Sequence, residues 1–440
     1  MVRLPFASRT TITLGGYLPS KLRPSYPTFF IDGRVKFIHV AGTKGKGTTC
    51  EYIAAAMRAA GIRVGVFTSP HLHTARERVK IGHEIISRHD LQRLGKEALL
   101  ALSDSPWSVF FDIFLLTALK YFGEKKVEYI ILESGIGGRY DSTNFIEEAA
   151  ACIITSISLD HQAILGETLD KIAWQKAGII KPGCPVFTPA TQRAIVLDVL
   201  RKESTLLKSP LFEVKVSREL LRAASRRLEE SLSYPVQVEN ACLAMAVLDH
   251  LKIPRSEMID FFWPCRMETH LVRGTPVVLD GCHNGYSVQL FLEGVKQQFP
   301  GYKVLTLFGG GMEKCLDDML REVGARSDYV MFVQSRHFKA VPEVELEEQL
   351  QPLLALSGST AKLFVVEPSE RVVTGTSSVG IRLQHAIDNI CSSLRHNGEE
   401  NVVVCICGSL FAAAEGREVV YSWSPKSFSE SDWVKEVDDI

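Results

Sequence analysis

Gly42-Thr43-Lys44-Gly45-Lys46-Gly47-Thr48-Thr49 follows an apolar stretch and opens a segment of helical periodicity. Glycines there let successive backbone N–H groups turn inward, and the helix N-terminus adds partial positive charge. A lysine can then reach outer phosphates while a threonine hydroxyl faces Mg²⁺, so the run reads as a phosphate cradle. It departs from the general phosphate-loop pattern, because Gly47 separates Lys46 from Thr48.

Further along stand other groups able to do chemistry. Ser69 lies in Thr68-Ser69-Pro70-His71-Leu72, ahead of Arg76-Glu77-Arg78. Glu133 closes the apolar run Val127 to Leu132 and precedes Gly135-Ile136-Gly137-Gly138; a carboxylate at a strand end can hold Mg²⁺ against phosphates at a neighbouring loop. These glycines miss the dinucleotide fingerprint. Asp160-His161 and Lys176 follow, although a histidine beside an aspartate is ordinarily structural. Phe110, Phe111 and Asp112 open a helix where they could line a route for an aromatic substrate or simply join the core.

These groups need a scaffold. Short apolar runs alternate with helical stretches, the pattern of βα units in a mostly parallel sheet. A first series predicts strands at Val35 to Val40, Arg63 to Phe67, Val127 to Leu132 and Cys152 to Thr155, with a helix from Gly47 to Ala60 stopped by Gly61. A second predicts strands at Pro276 to Leu279, Lys303 to Phe308, Tyr329 to Val333, Lys362 to Val366 and Asn401 to Ile406. A helix spans Asn240 to Leu251, a hinge falls in Trp263 to Glu268, and Arg218 to Glu230 reads as a charged, solvated helix. The expected fold is therefore α/β, with a phosphate-loop domain over 1–268 and a smaller Rossmann-like domain over 269–440.

Bulk properties narrow the classes. A chain of 440 residues exceeds what one core usually serves. A net charge of −1 gives no overall field to gather nucleic acid, and no apolar run reaches the roughly 20 residues of a membrane span. The ten cysteines lack zinc or redox spacing and read as reduced core thiols. The first 31 residues carry Arg3, Arg9, Lys21 and Arg23 but no acid, so a cytoplasmic protein is expected with a mitochondrial form as the alternative.

The Gly42 to Thr49 run resembles the loop of the Mur ligase superfamily, specifically its folylpolyglutamate and dihydrofolate synthase branch, and the likeness recurs in order from about Lys36 to Arg417. It includes LESGIGGRYDSTN over Leu132 to Asn144 and IAWQKAG over Ile172 to Gly178. The resemblance implies a Mur-ligase-like, phosphate-loop ATP-binding fold and a ligase joining L-glutamate to a reduced folate, or to dihydropteroate, through an acyl phosphate. It further implies Ser69, Glu133 and His161 as ligands of two Mg²⁺ ions, Arg78 near substrate, and Lys176 as the lysine that carries a carbamate. Gln237 and Asn240 resemble an amide pair whose asparagine meets adenine; Arg266 matches an arginine reaching the nucleotide phosphates. Asp280 and His283 lie in the counterpart of a DGAHN element, and Ser409 in that of a late GSL element. ATP contacts are thus expected from Gly42, Thr43, Lys44, Gly45, Lys46, Gly47, Thr48, Asn240, Arg266, Asp280, His283 and Ser409, with Lys46, His161, Lys176 and Arg78 catalytic.

The sequence departs from the family pattern at Cys265, Cys282 and Val236, and at Gly309 to Cys315, which lacks a terminal acid. A dihydrofolate synthase, a bifunctional enzyme, a cell-wall ligase and a non-catalytic nucleotide-binding regulator are the competing readings. Retention of Lys46, Glu133, His161 and Lys176 together speaks against the regulator. No nucleic acid or membrane partner is expected, and the chain is expected to act as a monomer.

Overall fold

The computed structural model describes residues 34–102, 110–217, 235–255, 264–312, 314–357, 361–365, 376–396, 401–429 and 432–436. The N-terminal segment with Arg3, Arg9, Lys21 and Arg23, the charged stretch Arg218 to Glu230, and Trp263 and Val366 lie outside these residues.

Two sheets carry the architecture. The first holds β1 (Lys36–Ala41), β2 (Val64–Phe67), β3 (Val79–Ile81), β4 (Glu84–Ile85), β5 (Tyr129–Glu133), β6 (Ala151–Ile154), β7 (Val186–Pro189) and β8 (Leu211–Val214), in the order β4-β3-β2-β5-β1-β6-β7-β8. The second holds β9 (Glu268–Val272), β10 (Thr275–Leu279), β11 (Lys303–Phe308), β12 (Tyr329–Phe332), β13 (Lys362–Phe364) and β14 (Val402–Cys407), in the order β13-β12-β11-β14-β10-β9. Pairing is parallel except at β2–β3, β3–β4 and β9–β10. Helices cover both faces of a parallel sheet, so its central strands must be apolar throughout. The Val-Val-Val-Cys-Ile-Cys run of β14, buried at every residue, meets that demand.

All the expected strands form, with ends shifted by at most two residues and Lys303–Phe308 unshifted. The helix predicted from Gly47 begins one residue earlier and runs Lys46–Ala59; Gly61, at φ 74°, closes it through its N–H to the Arg58 carbonyl. Its Ala-rich middle is buried and packs on the helix Pro235–His250. That second helix starts before the expected Asn240, which therefore sits inside it. Of the ten cysteines, nine are buried free thiols, whereas Cys315 is exposed, contrary to expectation. Among the described residues no helix is long and apolar enough to cross a membrane.

Register brings the functional loops together. β1 lies between β5 and β6, pairing Val40 with Glu133 and Ala41 with Ile154, so Gly42, Ser134 and Thr155 emerge side by side. β2 ends opposite, with Phe67 against Leu132, and delivers Ser69 to the same edge. In the second sheet Leu279 pairs with Ile406, and Phe308 with Cys407, so the loops starting at Asp280, Gly408 and Gly309 leave together. Both sheets turn these strand ends toward one cleft, where ligands of open α/β sheets bind.

Candidate active site

The phosphate loop is shaped by two glycines. Gly42 and Gly45 have φ of 147° and 84°, values that favour glycine. A Cβ on Gly42 would stand 1.8 Å from Thr155 Oγ1, and one on Gly45 would stand 2.0 Å from Asn240 Oδ1. Gly45 caps the helix Lys46–Ala59 without any side-chain hydrogen bond, and the first turn holds no acid. The N–H groups of that turn are thus left for an anionic ligand.

A cavity of about 200 Å³ opens over this loop. Its walls include Gly42 to Thr48, Ser69, Glu133, His161, Lys176 and Asn240 from the first sheet's side, and Arg266, Asp280 and His283 from the second. Two expected residues stand outside this lining. Arg78 holds its guanidinium over the rings of Phe110 and Phe114 at 5.2 and 5.7 Å, and its Nε donates to His71 Nδ1 at 2.9 Å. Burial lowers its pKa to about 10. Ser409 accepts the Phe411 N–H at 3.2 Å as a helix cap, and its neighbour Leu410 supplies the wall. Phe111 packs edge-on to Phe67 at 5.3 Å, and Asp112 is buried and bonded to Ser142.

The cations of the cleft rest mainly on neutral acceptors. Lys46 Nζ donates to the Gly42 carbonyl at 3.3 Å and stays 3.9 Å from Glu133. Lys176 Nζ donates to the same carbonyl at 2.7 Å, Arg266 to the Cys265 carbonyl at 2.7 Å, and Lys44 to His283 Nε2 at 3.1 Å. Burial, reinforced by Lys46, pulls the Lys176 pKa down to about 7, and burial brings Lys44 to about 8. His283 falls to about 3 through burial and the charge on Lys44, so it is neutral: Nδ1–H donates to the Gly281 carbonyl at 2.9 Å and Nε2 receives Lys44. His161, at φ 51°, falls to about 4 through burial.

Glu133 faces Lys46 at 3.9 Å. It accepts the Ser69 N–H at 2.8 Å, and burial raises its pKa despite Lys46. Asp280 accepts the N–H groups of Met267 and Cys282 at 2.9 and 2.8 Å, which pins the loop between the two sheets.

These groups fit a divalent ion bound with phosphates. Ser69, Thr48 and Glu133 offer hard oxygen donors, and the buried Glu133 carboxylate is stabilised by an added cation. Among the described residues there is no preassembled cluster of three or more His, Cys, Asp or Glu ligands. Mg²⁺ suits such a site, since it commonly takes one or two carboxylates and completes its shell from substrate phosphate and water. The amide of Asn240 and Oε1 of Gln237, buried at the cavity and without protein partners, fit a heterocycle with donors and acceptors.

In the sequence Asp160 stands out only as the neighbour of His161, and Lys314 carries no signal of a role. Asp160 lines the cavity, and Lys314 reaches it across the cleft with Nζ at 3.2 Å from Oδ1. Separated by 154 positions, the two carry no joint signal in a single sequence.

Comparison with known proteins assigns this arrangement to a family. No family model matches the chain. The dihydrofolate synthase/folylpolyglutamate synthase of Bacillus subtilis (strain 168) is 34% identical over 322 residues, covering 66% of this chain and 74% of the relative. The dihydrofolate synthetase of Saccharomyces cerevisiae is 28% identical over 420 residues, covering 87% and 92%. A Yersinia pestis bifunctional folylpolyglutamate synthase/dihydrofolate synthase, solved with AMPPNP and a Mn ion, superposes with a TM-score of 0.72 at 25% identity over 95% of each chain. The fold expected from the sequence, Mur-ligase-like α/β with two mostly parallel sheets, is thus the fold observed, and the chain belongs to the folylpolyglutamate and dihydrofolate synthase family.

Proposed function

We propose that the chain is an ATP-dependent ligase that adds L-glutamate to the terminal carboxylate of a reduced folate, acting as a monomer. The reading rests on one observation above the rest: Lys46, Glu133, His161 and Lys176 converge with Arg266 and His283 on one cavity over the phosphate loop. The working units are the segment through β8 and the helix Pro235–His250, and the segment from β9 onward, with the boundary within 264–268.

A carboxylate is a poor acyl donor, so the γ-phosphoryl group of ATP is first transferred to a substrate carboxylate oxygen, giving an acyl phosphate and ADP. Lys46 and the free N–H groups at the start of its helix stabilise charge on the transferring group. Asn240 receives the adenine, and Arg266 and His283 approach the nucleotide from the far wall. Ser69 and Glu133 would hold one Mg²⁺, and His161 with a carbamylated Lys176 would hold a second. Such ions supply charge neutralisation for phosphoryl transfer. The depressed pKa of Lys176, about 7, keeps much of its amine neutral at physiological pH, the form that adds to CO₂. Closure of the second unit then excludes water and directs the glutamate amine at the acyl carbon; phosphate leaves as the amide forms.

A second acceptor, dihydropteroate, is favoured by the 420-residue alignment with the yeast dihydrofolate synthetase. Glutamate-dependent ADP release, measured with tetrahydrofolate and separately with dihydropteroate, separates the cases. Release with tetrahydrofolate is expected; release with dihydropteroate alone makes the chain a dihydrofolate synthase, and release with neither overturns the ligase reading in favour of a regulator.

A further inference from the structure

We propose that Asp160 and Lys314 form a reversible clasp across the cleft, and that Asp160 is a positioning residue linking the second sheet to His161 and the phosphate loop. The proposal rests on the ligase reading for its role in turnover, while its geometry stands independently.

Asp160 is where three segments meet. Its Oδ1 accepts the His161 N–H at 2.9 Å, which holds His161 in a left-handed conformation uncommon for a residue with a side chain. The same oxygen accepts from Lys314 Nζ at 3.2 Å, and Oδ2 lies 3.8 Å from His283 Nε2, the acceptor of Lys44. One carboxylate therefore touches the loop after β6, faces the loop after β10 and is gripped by the loop after β11.

Lys314 is presented firmly. Its N–H donates to the Gly311 carbonyl at 3.1 Å, and Gly311 forms a bridge with Ala340. Lys314 lies outside the cavity lining, so its amine is directed at Asp160 and not at the ligand space.

The setting explains why the pair acts as a clasp and not a weld. Side-chain exposures of 22% for Lys314 and 10% for Asp160 leave water access to the pair. The more exposed partner, Lys314, can leave into water while Asp160 keeps its hydrogen bond to the His161 N–H, so the contact opens from the lysine side. A closure that must open at every product release requires such a contact.

The test is a double-mutant cycle with a readout independent of turnover. Lys314→Met is expected to lower kcat about tenfold while leaving the Kd for Mg–ATP, measured by calorimetry, within about twofold; Lys314→Arg is expected to retain most of kcat. Asp160→Asn should cost much less in the Lys314→Met background than in the wild type. In Mg–ATP-bound protein, Lys314→Met should speed amide hydrogen exchange at His161 about fivefold or more, whether or not the protein turns over. Unchanged exchange at His161, or an Asp160→Asn effect of equal size in both backgrounds, overturns the clasp. Failure of the wild type to release ADP instead sinks the ligase reading and leaves the exchange result to decide the clasp.

Discussion

The two sheets meet at two charged seams that are built in opposite ways. At the first, over the phosphate loop, Lys46 and Lys176 rest on one backbone carbonyl and Lys44 on a neutral imidazole. At the second, Arg417 is fully buried and donates through Nε to both oxygens of Glu268, at 2.8 and 2.9 Å, and through Nη1 to Asp432 at 2.7 Å. His73 joins from the first sheet's side: Nε2 accepts from Arg417 at 3.2 Å while Nδ1–H donates to Glu418 at 3.2 Å. The pKa directions register the contrast. Burial lowers Lys44 and Lys176, whereas Arg417, opposed by the same burial, is held above its ordinary value by Asp432 and Glu268. Charges that are paired within the protein make a fixed pivot; Lys46 and Lys44, on neutral partners, are ready for phosphates, and the partly neutral Lys176 amine is open to CO₂.

Breaking the pivot should have the largest effect on stability. Arg417→Met removes the guanidinium from Glu268 and Asp432, and a loss of about 3–5 kcal/mol in denaturant unfolding is expected. A loss below about 1 kcal/mol would mean that the seam is not a stabilising pivot. At the cleft the same type of change should cost activity and not stability. Glu133→Gln is expected to lower ADP formation by about 10²–10³ with little change in unfolding midpoint, because the native carboxylate is poorly compensated until a cation arrives. Near-normal turnover would remove Glu133 from the metal site.

Gly45→Ala sharpens the cleft side of the comparison. Its φ of 84° and the nearby Asn240 amide predict about 1–2 kcal/mol of destabilisation together with weakened ATP binding by calorimetry. The last effect concerns pH. Lys176 has a folded-state pKa of about 7 against an ordinary 10.5, so between those values the unfolded chain binds more protons and stability rises with pH. In bicarbonate-free buffer, wild-type stability relative to Lys176→Met is therefore expected to climb from about pH 7 to pH 10; a flat difference would contradict the buried-amine assignment.

Much of this was legible in the sequence because its causes are local. Apolar runs such as Val402–Cys407 specify buried parallel strands by composition alone, and the glycine and lysine spacing of Gly42 to Thr48 specifies a phosphate loop. β9 was missed for a physical reason: its inward positions include Glu268 and His270, which erase the apolar alternation and are tolerated only because Arg417 and the Glu268–His270 hydrogen bond at 2.7 Å satisfy them. β3, β4, β7 and β8 were also missed; they are two to four residues each, with Lys80, Glu84, Pro189 and Glu213 among them, so no apolar run marks them. Arg417 itself sits in a helix where a cation is ordinarily solvent-facing, and only the distant Glu268 and Asp432 reveal its burial. Arg78 and Ser409 came from resemblance, and in the structure they border the cavity without lining it.

The central claim is that the loosely partnered seam is a magnesium–nucleotide centre. A crystal structure with a non-hydrolysable ATP analogue and Mn²⁺ tests it through the anomalous signal of the metal. A peak about 2.0–2.2 Å from a Glu133 carboxylate oxygen, with the triphosphate over Lys46, is the expected result. A metal that does not touch Glu133, or a triphosphate bound away from the Gly42 to Thr48 loop, would contradict the account.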